Sequence, residues 1–320
     1  MTPYLGQVPY QSPLPEPSLP IVAREYHEFY RAPRFRWWKP LAAVGLLIAV
    51  MFLLGLAIGL VAILDDVNAG RITLEEALKG AITPGLFLAN NIVLASAIPV
   101  ALGAHWLVFR QRPGWLLSIQ GRFRWRLLGR LLLAAAPLYL VSFGIEALLS
   151  GGLGGLSWRP ESAFMMAVVL LTTPLQSAGE EVAMRGLLAR CVGSWFSARR
   201  VGLVVATTVS AVVFMLLHGA GDIWLNVFYL SVAVAMSVLA WKTGGLEAPI
   251  ALHVVNNLAS MITLPFTDLT GVFNREAGVG SPWVLVNVAI ALSAAAAILW
   301  QARRLGLPTT AAPAAHSAAH

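Results

Sequence analysis

The residues that decide the fold are Ser-Ala-Gly-Glu-Glu-Val-Ala-Met-Arg at 177–185, which follow a run without any charged side chain at 163–174. Such an apolar run is typical of a membrane helix. Three ionisable residues therefore lie in a membrane helix: Glu180, Glu181 and Arg185. Inserting one charged side chain at the centre of such a helix costs a free energy of roughly 2.5–3.5 kcal/mol. Charges kept at that cost indicate a functional site.

The rest of the chain has the composition of a membrane protein. Of the 320 residues, 58% are hydrophobic and 12% are charged, whereas a soluble domain carries about 25% charged residues. We therefore expect an all-α, polytopic bundle of about eight transmembrane helices in the lipid bilayer. The apolar segments lie near 41–64, 84–109, 127–149, 162–188, 201–218, 223–241, 247–265 and 282–301. Residues 186–196 could either continue the fourth span or lie along the membrane interface.

Basic residues alternate between the loops. Arg and Lys precede the first span and follow the second, fourth, sixth and eighth, whereas the intervening loops are acidic or near neutral. The positive-inside rule therefore predicts that both termini are cytoplasmic. The net charge of +7 is spread over these loops, so we expect no nucleic-acid partner.

The sequence predicts one folded unit between two tails. Residues 1–40 are proline-rich and are expected to form a solvated cytosolic leader, disordered at its start. Residues 41–301 form the single membrane-embedded domain, and 302–320 a flexible C-terminal tail. The lone cysteine, Cys191, excludes an intramolecular disulfide.

Polar residues on three spans are candidates for a shared site. Arg185 follows Glu181 by four residues, the spacing of a same-face ion pair, and Glu180 points about 100° away. His218 ends the fifth span, and His253 and Asn257 share one face of the seventh. Taken alone, a polar residue in a membrane helix usually bonds a neighbouring helix as a structural contact.

Three motifs resemble those of the CPBP (Abi) intramembrane proteases, which include the type II CAAX prenyl endopeptidases. They are Glu-Glu-x-x-x-Arg at 180–185, Phe-x-x-x-His at 214–218 and His-x-x-x-Asn at 253–257. They occur in the family's order on successive spans, and the resemblance covers about 160–265. It implies a membrane-embedded protease, a hydrolase of the glutamate type.

The resemblance also implies a role for each matching residue. Glu180 with His218 would activate a water molecule for attack on a peptide carbonyl. His253 and Asn257 would donate hydrogen bonds to the tetrahedral oxyanion.

The other motif residues, Glu181, Arg185 and Phe214, would orient the site. Metal use is open, because Glu180, His218 and His253 also have the composition of a catalytic zinc ligand set. A metal-free mechanism is favoured over zinc, since the His-Glu-x-x-His pattern is absent and Asn257 suits an oxyanion better than zinc.

The positions of these residues along their spans predict different depths in the membrane. His218 lies about 26 Å along its span from residue 201, whereas Glu180 and His253 are expected in the cytosolic half. We nevertheless expect these residues to converge in a site reached from the cytosol. The substrate would be a peptide, a lipidated protein such as a CAAX-type prenyl protein, or a membrane protein.

Two other functions fit the same residues. A non-proteolytic immunity or scaffold protein would retain the motifs as a structural polar network. A transporter with a proton relay is less favoured, because such sites usually lie between internal repeats and no repeat is visible.

Overall fold

The chain forms an α-helical bundle, as the sequence predicts. The structure, a computed structural model, describes residues 17–149, 154–269, 272 and 274–314. Within these residues, eight helices are long and apolar enough to cross a bilayer, which confirms the all-α membrane fold. The helices are α1 (Lys39–Asn68), α2 (Leu74–Leu78), α3 (Pro84–Phe109), α4 (Gly114–Leu117), α5 (Trp125–Leu149), α6 (Ser162–Glu181), α7 (Ala189–Gly193), α8 (Arg199–Leu217), α9 (Ile223–Thr243), α10 (Glu247–Met261) and α11 (Val284–Arg304).

Shorter elements complete the chain. A π-helical turn joins α6 to α7, one 3₁₀ turn precedes α1 and another follows α10. Two short strands pair antiparallel, with Arg24 opposite Ala311 and Glu25 opposite Thr310. The strands therefore bring the two ends of the described chain together on one face. The remaining elements are β1 (Arg24–Glu25), β2 (Thr310–Ala311), the π-helical turn Val182–Leu188 and the 3₁₀ turns Tyr26–Glu28 and Leu264–Phe266.

The motif at 180–185 lies on one continuous central helix, Ser162–Gly193, made of α6, the π-helical turn and α7. This settles the ambiguity over 186–196, because the helix runs on to Gly193 before it ends. A π-helical turn misaligns one turn of backbone hydrogen bonds and is frequent at functional sites. Here the Ser210 hydroxyl of α8 donates to the Met184 carbonyl (3.2 Å) within that turn.

The central helix packs closely on α3 at the residue before the double glutamate. A Cβ at Gly179 would overlap the carbonyl oxygen of Leu94, so only glycine permits this approach. The contact fixes the backbone from which Glu180 and Glu181 project.

The N-terminal strap, residues 24–30, is buried rather than solvated. Tyr26, Phe29 and Tyr30 are at most 2% exposed and join the core cluster that contains Leu187. This differs from the solvated leader expected for 1–40, because aromatic residues among the prolines find apolar partners on the bundle. Residues 1–16, where disorder was expected, lie outside the described part of the chain.

Arg190 fastens the strap to the central helix. It is fully buried and donates to the carbonyl oxygens of Tyr26 (3.0 Å) and Leu116 (3.3 Å) as well as to that of Trp115. Its guanidinium lies 4.6–4.9 Å from the ring centroids of the three strap aromatics, a cation–π arrangement. Nearby, His27 bonds the Arg199 carbonyl through Nε2 (3.1 Å), and burial lowers its pKa, which favours the neutral ring.

We predict that Arg190→Met destabilises the protein by about 3 kcal/mol or more. A hydrogen bond with a charged partner contributes about 1.5–3 kcal/mol, and Arg190 makes several. Denaturant-induced unfolding in detergent micelles measures the change. Arg200→Met, at an exposed position in the first turn of α8, is the matched control and should leave the midpoint unchanged. Equal stability of the two variants would contradict the fastening role of Arg190.

Candidate active site

The two adjacent glutamates have different surroundings. Nη1 of Arg185 donates to Oε1 of Glu181 (2.8 Å), and both side chains are at most 1% exposed. Nη2 of Arg185 donates to the Ala233 carbonyl on α9 (3.0 Å). The guanidinium also lies 4.7 Å from the ring centroid of Phe214 on α8. The buried ion pair therefore links the central helix to two neighbouring helices.

His253 lies between the two glutamates. Its Nδ1 is 2.8 Å from Oε1 of Glu181, and its Nε2 is 3.5 Å from Oε2 of Glu180. A carboxylate oxygen accepts, so Nδ1 carries the proton of the first bond. Nε2 is thereby aimed toward Glu180, and it can act as a donor only when the ring is the imidazolium.

Glu180 has no arginine partner among the described residues. Oε1 accepts a hydrogen bond from Nε2 of Gln176, one turn earlier (2.7 Å). Oε2 is buried without a hydrogen bond, its nearest ionisable neighbour being His253. Oε2 of Glu181 also lacks a hydrogen bond, so the two glutamates differ in the arginine partner of Glu181 and in the 14% exposure of the Glu180 side chain.

Asn257 reaches the same part of the central helix. Its Nδ2 donates to Oε1 of Gln176 and to the hydroxyl oxygen of Ser177, each at 3.2 Å. Its Oδ1 accepts from Nδ2 of Asn256 (3.2 Å), and Asn256 in turn accepts from the Tyr139 hydroxyl (3.1 Å). These bonds hold the amide donor of Asn257 close to the residues that contact Glu180.

His218 caps the C-terminal end of α8. Its Nδ1 bonds the Phe214 carbonyl (2.8 Å), and since a carbonyl accepts, Nδ1 is the donor and Nε2 of the neutral ring is left as an acceptor. The ring packs on Tyr229, with centroids 4.0 Å apart, and on Phe214 at 4.5 Å. The Phe214 ring also lies 5.8 Å from the His253 ring, so His218 is one side chain away from the histidine beside Glu180.

The sequence-predicted site residues therefore occupy one region, and Phe214 connects them. Its ring contacts Arg185, His218 and His253, the last at 5.8 Å between centroids. The expected mismatch in depth disappears because the central helix continues to Gly193. Glu180 then lies about 20 Å from that helix end, deep enough to face the distal part of α8.

Three further residues of the site were not predicted from the sequence. Gln176 bonds both Glu180 and Asn257, Tyr229 packs on His218, and Nη1 of Arg275 donates to the His218 carbonyl (2.6 Å). The spacing of Gln176 four residues before Glu180 would have indicated the first contact. Nothing in the local sequence relates Tyr229 or Arg275 to His218.

The structure does not group Glu180, His218 and His253 closely enough to form a set of three metal ligands. Within 17–149, 154–269, 272 and 274–314, no three His, Cys, Asp or Glu side chains are grouped so that they could hold a metal ion. The Nδ1 hydrogen bonds of His218 and His253 are themselves compatible with metal binding through Nε2, since metal-binding histidines usually donate their other N–H to a protein oxygen. A mechanism without metal remains a prediction.

We predict that Arg185→Ala destabilises the protein by about 3–5 kcal/mol, because it leaves the buried Glu181 carboxylate unpaired. The matched control is Lys79→Ala, which removes an exposed ion pair to Glu75 with the same four-residue spacing. An exposed pair of this kind contributes at most about 0.5 kcal/mol. Denaturant-induced unfolding in micelles measures both variants, and a similar loss in the two would contradict the structural importance of the buried pair.

One comparison with known proteins identifies a family. Residues 159–259 match the model described as Rce1-like, type II CAAX prenyl endopeptidase Rce1-like. The match covers less than half of the chain and contains all three motifs. No curated protein and no solved structure matches the chain. An Rce1-like domain implies a protease, and the eight apolar helices support an integral, multi-pass membrane protein. The resemblance indicated by the three motifs is thus confirmed by the match of residues 159–259 to the Rce1-like family model.

Proposed function

We propose that the chain is an intramembrane endopeptidase in which Glu180 and His218 activate water and His253 and Asn257 bind the oxyanion. The observation that carries the proposal is the unequal environment of the two glutamates. Glu181 is fully buried and paired with Arg185, whereas Glu180 has no arginine partner among the described residues, lies beside His253 and is 14% exposed. A free carboxylate at that position has the properties of a general base.

The first step is attack of water on the scissile carbonyl carbon. Glu180 takes one proton of the water, while Nε2 of His218 accepts a hydrogen bond that orients it. The new C–O bond makes a tetrahedral intermediate whose negative oxygen needs donors. The protonated Glu180 then gives its proton to the amide nitrogen, the C–N bond breaks, and a carboxylic acid and an amine are released.

Two groups are suited to stabilise the oxyanion. Asn257 presents Nδ2–H groups that now bond Gln176 and Ser177 and can turn to the substrate. His253 can donate through Nε2 as the imidazolium, and that nitrogen lies 3.5 Å from Oε2 of Glu180. Glu181 thereby acts as a positioning residue, because it fixes the ring through Nδ1.

The substrate is a protein or peptide segment at the bilayer, as the family implies. A CAAX-type prenylated tail, another lipidated protein and a membrane-embedded peptide all suit a site surrounded by lipid-facing helices. The non-proteolytic scaffold remains the second candidate. The hydrogen-bonded series from Tyr139 through Asn256 and Asn257 to Ser177 favours it, since such a network can serve structure alone.

We predict that Glu180→Gln lowers cleavage by about 10²–10⁴-fold, the usual contribution of a general base. Glutamine keeps the shape of the side chain and cannot take a proton, so the protein should still fold. Cleavage of fluorogenic lipidated and unlipidated peptides by protein in micelles measures the loss. Glu276→Gln, at an exposed loop position, is the control.

The same assay separates the alternatives. Unimpaired cleavage by the Glu180→Gln variant would contradict the assigned base. If no peptide is cleaved while Glu180→Gln and Glu180→Ala change only stability, the scaffold is supported. A chelator added to the wild-type reaction should leave the rate unchanged. If the chelator abolishes cleavage and added zinc restores it, the metal-free mechanism is contradicted.

We predict that Asn257→Asp lowers kcat by about 10²–10³-fold, as removal of one oxyanion donor does in other hydrolases. Aspartate has nearly the same size, so KM should change little. Asn226→Asp, which alters a local bond to the Ala220 carbonyl, is the matched control for an amide-to-acid change. A kcat loss no larger than that of the control would rule out Asn257 as a donor to the oxyanion.

A further inference from the structure

We infer that water and substrate reach Glu180 from the membrane face opposite the two termini. The inference deepens the proposed function, since it assigns the direction from which that site is entered. It differs from the cytosolic opening expected from the sequence. It depends on where His218 lies along α8 and on how the other end of the bundle is closed.

The terminal face is defined by contacts among the ends of the chain and the loops beside them. β1 pairs with β2 there, the Tyr26 hydroxyl donates to the Leu116 carbonyl (2.6 Å), and Ile119 donates to the Gly244 carbonyl (2.9 Å). The end of the central helix at Gly193 belongs to this face, because a Cβ there would overlap the His27 carbonyl oxygen.

His218 lies at the opposite face. α8 begins beside the strap, where His27 contacts the Arg199 carbonyl, and runs for 19 residues. That length is about 28 Å, nearly the thickness of the hydrocarbon core. His218 follows the last residue of the helix, so it has crossed the bilayer from the terminal face.

Residues of the distal loops hold His218 in place. We call residues 219–222 and 274–283 the distal loops. Arg275 donates to the His218 carbonyl, Gly221 donates to the Arg275 carbonyl (2.7 Å), and Gly278 donates to Oδ2 of Asp222 (3.0 Å). Tyr229 packs its ring on His218 from the neighbouring helix α9. Polar groups thus continue from the site to this face.

The terminal face is closed by the strap. Tyr26, Phe29 and Tyr30 cover the end of the central helix, and Leu187, Leu116 and Leu246 beneath them are fully buried. The cavity between the strap and Arg185 has a volume of about 20 Å³, lined by Tyr26, His27 and Arg185 among others. That volume holds about one water molecule and no peptide.

The entrance bears on the class of substrate. The loops of the terminal face carry the basic residues that predict a cytoplasmic location, so the distal loops face the other compartment. A site entered there suits an exported or membrane-embedded peptide segment rather than the tail of a cytosolic prenylated protein.

Cysteine labelling tests the entrance. Cys191 is the only cysteine and is buried, so the unmodified chain is the blank. Asn257→Cys reports on the site, Glu276→Cys on the distal loops and Arg200→Cys on the terminal face. Each variant is reconstituted into proteoliposomes and treated with a charged, membrane-impermeant methanethiosulfonate from the outside, with and without prior opening of the vesicles by detergent.

We predict that Asn257→Cys and His218→Cys react in the same vesicle fraction as Glu276→Cys and are protected where Arg200→Cys reacts. Labelling of the two site cysteines together with Arg200→Cys, or from neither face, would overturn the inference. To show that each site variant is folded, Arg200→Cys and Glu276→Cys are combined with it in the same chain. In a folded variant these two cysteines still react from opposite faces of the membrane.

The labelling requires no proteolysis, so its outcome is separate from that of the proposed function. If wild-type protein cleaves peptides and the site cysteines react from the terminal face, only the entrance is wrong. If the site cysteines react from the distal face and no peptide is cleaved, only the protease is in doubt. In vesicles whose wild-type protein has one orientation, peptide supplied outside should be cleaved when the distal loops face outward.

Discussion

The buried ion pair between Glu181 and Arg185 is the interaction on which the rest of the site depends. It joins the central helix to α9 through the Ala233 carbonyl, to α8 through Phe214 and to α10 through His253. The attraction between two buried charges does little more than offset their desolvation, so such a pair contributes chiefly to the geometry. Its consequence here is that His253 has one orientation, in which Nε2 points toward the second glutamate.

The backbone around the pair allows Glu180 and Glu181 to have different partners. Gly179 lets the central helix approach α3, and the π-helical turn that begins at Val182 carries Arg185 back over Glu181. Adjacent residues on a helix project about 100° apart, so Glu180 cannot share the arginine with Glu181. One carboxylate is neutralised as a structural group, and its neighbour remains available to histidine and water.

Local sequence was sufficient for much of the fold and for the main residues of the site. Apolar runs of about 20 residues predict spans because the bilayer leaves no other partner for the backbone, and all eight are present. The four-residue spacing of Glu181 and Arg185 predicts their pairing, and the three motifs predict the family. The strap was missed because Tyr26, Phe29 and Tyr30 show no periodicity, and their burial depends on Arg190, far along the chain.

The sequence by itself determined the membrane class, the eight spans and the set of polar residues, because hydropathy and helical spacing are local properties. Only the tertiary structure decided that the central helix continues to Gly193, that Gln176 ties Glu180 to Asn257, and that Arg275 holds His218 at the distal end of α8. These contacts join residues on different helices, and their partners are fixed by how the helices pack. No pattern within a single segment encodes that packing.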